Sequence, residues 1–234
     1  MPRRPRNATG TLIFHVLNRA VQGLVLFGRP EDFEAFFEIV CEAALLYNVR
    51  ILCYSVMPNH WHFVLWPLDD RGLSLFMKRL TGTHAQLLRK CTGTRGRGAV
   101  YQSRYKAIAV QDDRHLVLLC QYVERNARRA GLVERAEDWP WCSASPGAAG
   151  PNRPVLTPWP MPKPARWNDL LNAPESPDVL HQIRSAIRLN RHFGSEPWRC
   201  SAAGSLKWRS GERGSGRPRD LVHPGDSATR SLWA

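Results

Sequence analysis

The chain has 234 residues, enough for one well-cored domain with appendages, and its 43% hydrophobic content is ordinary for a globular protein. Thirty-three Lys and Arg against 20 Asp and Glu give a net charge of +13 and a pI near 10.2, a balance that points to a polyanionic partner, nucleic acid being the commonest. No apolar run approaches the roughly 20 residues of a membrane span, so no membrane partner is expected. The six cysteines form no CxxC pair, which speaks against a zinc ribbon or a disulfide scaffold and fits a reducing cytoplasm.

Residues 1–10 read as a flexible basic arm, with Arg3, Arg4 and Arg6 as candidate DNA contacts and no apolar signal segment behind them. Residues 11–18 alternate as a strand. Residues 30–47 read as a helix, with Pro30 near its first turn and an apolar stripe of Phe33, Phe36, Phe37, Val40 and Ala44. Residues 49–57 and 60–66 form two strands around a Pro58-Asn59 turn, a hairpin. The pattern predicts a helix over 72–90, a Gly/Arg/Thr loop over 93–98, a strand over 103–110 and a helix over 112–129 with Asp112 or Asp113 as its N-cap.

The order β-α-β-β-α-β-α predicts an α+β fold, a ferredoxin-like split β-α-β with an antiparallel sheet and helices on one face. That unit spans 11–143. Residues 144–168 are rich in Pro, Gly and Ala, and a short helical pattern follows at about 178–191, so 144–199 is expected to be a Pro-rich linker with a short helical segment, an irregular C-terminal extension. Residues 200–234 are rich in Ser, Gly and Arg without period and are expected to be a poorly ordered basic tail. Within it Gly216-Arg217-Pro218-Arg219 is similar to the core of minor-groove arms, a four-residue match common by chance.

The sharpest chemical signal is His60-Trp61-His62 inside a strand. Side chains at i and i+2 share a face, so two imidazoles project together while Trp61 turns away. Such a pair suits a metal ion, and without nearby thiols an open site with a third ligand from elsewhere suits a catalytic cation that polarises a phosphate. The second signal is Gln121-Tyr122-Val123-Glu124-Arg125-Asn126. Tyr122 and Asn126 lie four apart on one helical face. A tyrosine oxygen attacking phosphorus makes a covalent phosphotyrosine and frees a 3′-hydroxyl, and the asparagine carbonyl could complete a metal shell. Taken alone, Tyr122 reads more readily as a ring at a helix–sheet rim than as a nucleophile; Tyr101 and Tyr105 are the next candidates for the nucleophile. Arg19, Arg79, Arg89, Lys90, Arg95, Arg97, Arg104, Lys106, Arg125, Arg128 and Arg129 are candidates for a phosphate-tracking surface.

These residues carry a resemblance. Met57-Pro58-Asn59-His60-Trp61-His62 resembles the MPNHxH signature of the HUH single-tyrosine transposases, and more specifically of the REP-associated tyrosine transposases of bacteria, in the IS200-like group. His15-Val16-Leu17-Asn18-Arg19 is similar to the family's first strand, Gln102-Ser103-Arg104-Tyr105-Lys106 to its G-R-[FY]-K segment, and the run from Tyr122 to Val133 to its Y-[IV]-E-x-N-P-x-R-A-G-x-V segment. Trp139-Pro140-Trp141-Cys142-Ser143 and the run from Asn190 to Trp198 are similar to two later motifs, so the resemblance covers about residues 1–198. Ala127, Gln102-Ser103 and Cys142 depart from the pattern without touching the proposed catalytic atoms.

The resemblance implies that 11–143 is an HUH catalytic domain in which His60 and His62 bind Mg²⁺ or Mn²⁺, Asn126 is a third ligand, and Tyr122 is the nucleophile. It implies single-stranded DNA beside a hairpin, the repetitive extragenic palindrome, as substrate, a monomer or homodimer, and a place near the bacterial nucleoid. Two other readings share the sequence: a catalytically silent, domesticated protein that binds DNA hairpins, and an HUH relaxase or replication initiator, which usually carries a third histidine ligand.

Overall fold

Four strands and two helices build the centre of the molecule in a computed structural model, which describes residues 12–94, 96 and 98–205. In chain order they are β1 (Ile13–Arg19), α1 (Pro30–Leu46), β2 (Val49–Met57), β3 (His60–Pro67), α2 (Gly72–Cys91) and β4 (Lys106–Val110). The sheet order is β2-β3-β1-β4 and every pairing is antiparallel, which is the expected ferredoxin-like split β-α-β.

Local chemistry sets the element ends. Pro30 opens α1, and the Asp32 carboxylate accepts the amide hydrogens of Gly28 and Arg29, both at 3.0 Å, satisfying donors the helix leaves free. Pro58 and Asn59 turn β2 into β3 with Met57 opposite His60. A register shift between Ile51 and Cys53 bulges β2.

Strand alternation divides the core in two. Trp61, Phe63 and Leu65 of β3 join Phe14 and Val16 of β1 under α1 and α2, meeting Phe36, Phe37, Phe76 and Leu80. The buried Trp61 indole donates to the Tyr101 hydroxyl at 3.3 Å, and that hydroxyl also bonds His84 Nδ1 at 2.7 Å. The other face carries His60, His62 and Val64. It packs under α3 (Arg114–Glu124) and the later helices α5 (Trp167–Asn172) and α6 (Pro177–Leu189), through Leu116, Leu119, Val123, Leu171, Ile183 and Ile187. The expectation of helices on one face thus holds for α1 and α2 alone. Two of the second layer's helices, α3 and α6, follow from the sequence pattern; that they and the six-residue α5 would cover the opposite face of the sheet does not.

Between them run α4 (Asn126–Arg129) and an irregular segment that covers the β2 edge. Val56 donates to Trp141 O at 2.9 Å, and Ser143 N and Thr157 N donate to Tyr54 O and Ile51 O at 3.0 and 2.8 Å, so the edge strand's polar groups are not left open. A last helix, α7 (Glu196–Ser205), runs into the stretch expected to be without order. The arm with Arg3, Arg4 and Arg6, the loop residues Arg95 and Arg97, and the tail from 206 on with its Gly-Arg-Pro-Arg motif, lie outside the described residues.

Three charged residues just after Tyr122 fasten this second layer. The buried Glu124 carboxylate accepts from the Ser143 hydroxyl and the Trp167 indole, each at 2.5 Å. Arg125 donates from Nε to Leu171 O at 2.8 Å and from Nη2 to Leu170 O and to Ala173 O, the latter at 3.0 Å, closing the carbonyl end of α5. Arg129 grips Glu175 with two bonds of 2.9 and 2.6 Å. Arg125 was expected to contact DNA. It is 6% exposed and committed to α5, so that reading is corrected. Arg79 pairs with Glu42 of α1 at 2.6 Å, on the layer across the sheet from the histidines. The outcome expected for Arg125→Ala is a loss of about 2–3 kcal/mol in urea unfolding, because three carbonyls, one of them in a fully buried hydrogen bond, lose a charged donor. A loss under about 0.5 kcal/mol would mean that this guanidinium is an ordinary surface group.

Candidate active site

The site lies on the α3 side of the sheet, where β3 turns out His60 and His62. Their ring centroids are 5.2 Å apart and nearly perpendicular. His60 Nδ1 is 2.7 Å from the Asn59 side-chain oxygen, an atom that only accepts, so Nδ1 carries the hydrogen and Nε2 keeps its lone pair. His62 Nδ1 lies 2.9 Å from Nε2 of His15, with the two rings stacked at 5.1 Å. His15 of β1 pairs with Val64 of β3, which puts it diagonal to His62 on the same face. A hydrogen on His62 Nδ1 donated to His15 leaves His62 Nε2 free to coordinate.

Burial makes these imidazoles neutral at pH 7. It holds His15 at a pKa of about 3 and His60 at about 4. His62 is pushed well below its ordinary range by burial first, then by the neighbouring imidazoles and arginines. A neutral imidazole is the form that binds metal.

Tyr122 stands on the last turn of α3, 7% exposed, with its ring edge-on to His62 at 6.0 Å and to His15 at 6.2 Å between centroids. Burial raises the phenol pKa; Arg129, whose guanidinium sits 4.4 Å over the ring, and Arg184 of α6, which hydrogen-bonds the phenol, pull it back. Asn126 follows after one residue, Arg125, that keeps helical backbone angles, so Tyr122 and Asn126 stay on the histidine side. Its buried amide faces His60, where a hydrogen bond would form only to the charged imidazole, and its Nδ2 has no partner among the described residues. The structure therefore brings together all four residues read from the sequence as nucleophile and ligands.

His60, His62 and Tyr122 open onto a cleft of about 460 Å³, lined also by Arg19 and Arg104 from the sheet side and by His181, Arg184 and Arg188 from α6. Lys106 lines it too, but its amine donates to Ile187 O at 2.8 Å at the end of α6. Arg128 lies away from the cleft, with Nε bonded to Glu134 O at 3.0 Å. Tyr101 and Tyr105, the other candidate nucleophiles, pack in the cluster across the sheet. Sequence reasoning missed His15 and the α6 residues as parts of the site, and read Arg129 only as one of many phosphate-tracking cations. The 178–191 pattern was visible, but nothing in it said which surface it would cover.

Among the described residues no group of three His, Cys, Asp or Glu gathers as a metal site. The available donors are two imidazole nitrogens and one amide. With His60 Nδ1 committed to Asn59, Nε2 is the atom left toward Asn126, and an imidazole lone pair beside a carbonyl oxygen is an arrangement a cation relieves. The set fits a divalent ion whose remaining positions are filled by water and phosphate oxygen, and its nitrogens suit Mn²⁺ better than Mg²⁺.

Residues 13–126 match the family model described as IS200-like transposase. No curated protein matches the chain significantly. Among solved structures, a REP-associated tyrosine transposase bound to a REP hairpin is similar at 16% identity and a TM-score of 0.45, covering 61% of this chain and 82% of that one. A transposase-like protein from Deinococcus radiodurans R1 is similar at 17% identity and a TM-score of 0.38, covering 53% and 96%.

The buried imidazoles set a pH dependence. An unfolded histidine takes its proton near pH 6.5, whereas His60 resists to about 4 and His15 to about 3. The unfolded state therefore binds more protons below pH 6.5, and the stability present above that pH falls as the pH drops toward 4. Each such group contributes up to about 1.4 kcal/mol per pH unit. Urea midpoints should fall markedly between pH 7 and pH 5; a flat profile there would mean that these rings are accessible to protons in the folded protein.

Proposed function

Residues 13–126 belong to the IS200-like transposase family, and from that premise we propose that this chain nicks and rejoins single-stranded DNA through a covalent bond to Tyr122. The observation that carries the reading is the approach of the Tyr122 ring to within 6.0 Å of His62, inside one chain and one cleft. A divalent cation held by His60, His62 and Asn126, Mn²⁺ or Mg²⁺, would supply Lewis-acid charge to the scissile phosphate.

The chain's own groups do the rest. The phenol oxygen of Tyr122 attacks phosphorus and gives up its proton. The bond from phosphorus to the 3′-oxygen breaks, and that oxygen leaves as a hydroxyl after taking a proton. The product is a 5′-phosphotyrosine, and a 3′-hydroxyl from another strand reverses the step without ATP. Arg129 over the ring and Arg184 at the phenol favour the oxyanion that both directions require. His15 acts from behind, fixing the hydrogen on His62 Nδ1 so that Nε2 is presented to the ion. It does not stand beside His60 as a third histidine ligand, which weighs against the relaxase reading. The substrate implied by the motif resemblance is a single strand flanking a hairpin, and a site complete in one chain needs no second copy.

A hairpin oligonucleotide with single-stranded flanks tests this. Wild type with Mn²⁺ should give a covalent protein–DNA band on a denaturing gel. Tyr122→Phe should give none while still binding the hairpin. A wild type that binds and never cleaves would leave the silent, hairpin-binding reading in its place. A separate test concerns His15. His15→Phe should weaken Mn²⁺ binding, measured by calorimetry without DNA, by about 10- to 100-fold; unchanged affinity would remove His15 from the site's working parts.

A further inference from the structure

Helix α6 lies wholly outside the segment matched by the family model, yet it forms one wall of the cleft. Its sequence has two faces. Ile183 and Ile187 bury themselves in the second apolar cluster, with Val179, Leu180 and Ala186 packed alongside. His181, Arg184, Ser185 and Arg188 recur at i, i+3, i+4 and i+7 on the other face, and all four line the cleft. No ion pair among the described residues holds Arg184 or Arg188.

The wall is fixed from several sides. Lys106 closes its carbonyl end at Ile187 O, Asn190 ends it in the left-handed conformation, and Phe193 then bonds along β4, its N–H to Ala109 O at 2.8 Å. Ahead of it, Arg125 holds Ala173 O and Arg129 holds Glu175. Cations on so constrained a helix are set in place before a ligand arrives, which lowers the cost of binding. Arg184 already reaches the phenol of Tyr122. Arg188 is one turn further on, about 6 Å along the axis, close to the spacing of successive phosphates in an extended strand.

We propose that the basic face of α6 is the outer wall of a single-strand channel, in which Arg184 and Arg188 grip successive backbone phosphates at and next to the one facing Tyr122, opposite Arg19 and Arg104 on the sheet. The inference rests on the nicking reading above and adds to it the route of the strand and the residues that hold it.

The test is the salt dependence of binding of a fluorescent single-stranded oligonucleotide by the full chain, in EDTA so that no divalent cation contributes. Each phosphate contact on a single strand adds about 0.7 to the slope of log affinity against log salt. Arg184→Gln with Arg188→Gln should reduce that slope by about 1.4, and the double lysine variant should restore most of it. Lys78→Ala, on α2 across the sheet, should leave the slope as in wild type. Binding of a blunt hairpin without flanks should be the same in wild type and the double glutamine variant.

An unchanged slope in the glutamine variant overturns the proposal. So does an equal loss in the lysine variant, because the effect then comes from packing and not charge, and so does an equal loss on the blunt hairpin, because the contacts then lie on the duplex. If any of these results comes with a normal covalent band from wild type, the nicking reading stands and the clamp alone falls. Wild type that neither binds the single strand nor forms the band sinks both.

Discussion

β3 sits between β1 and β2, so its side chains have only the two faces of the sheet to occupy. Trp61, Phe63 and Leu65 fill one face with close-packed apolar volume, and that packing fixes the register. The register in turn forces His60 and His62 onto the opposite face, side by side. A slip of one residue would bury both imidazoles under α1 and α2 and turn Trp61 into the cleft beneath α3. The strong hydrophobic demand of one face thus holds two weakly hydrophobic groups in place on the other.

Charge at the site follows from what surrounds those rings. Burial keeps the histidines neutral, and the cations around them, Arg19, Arg129 and Arg184, add a positive field. Two carboxylates of the same layer are taken: Glu124 by Ser143 and Trp167, Glu175 by Arg129. A cleft of neutral donors and surplus positive charge is poorly satisfied by itself and well matched to a phosphodiester. The buried phenol, whose pKa is raised by desolvation and lowered by two arginines, is stable as a hydroxyl and helped as an oxyanion.

The parts of this arrangement legible in the sequence are those governed by local period. The two-residue repeat of a strand puts His60 with His62, and the helical repeat puts Tyr122 with Asn126. Both follow from spacing, and the helices over α1, α2 and α6 follow from apolar stripes. The parts not legible depend on which elements meet. His15 reaches His62 only through the β1–β3 register, which no single strand announces. Arg125 looked like its basic neighbours, yet its direction is set by α5, six residues long in Pro-rich sequence and too short to show a period. The second layer likewise depends on which face of the sheet α3, α5 and α6 meet, which no one of their sequences states.

The central claim is a covalent bond between DNA and one phenol. Its most direct measurement is mass spectrometry of the tryptic peptides from wild-type protein trapped on a hairpin-flanked single strand with Mn²⁺. The account predicts a 5′-phosphoryl nucleotide on Tyr122, in the peptide from His115 to Arg125. Attachment at Tyr101, at Tyr105 or at any other side chain would contradict it.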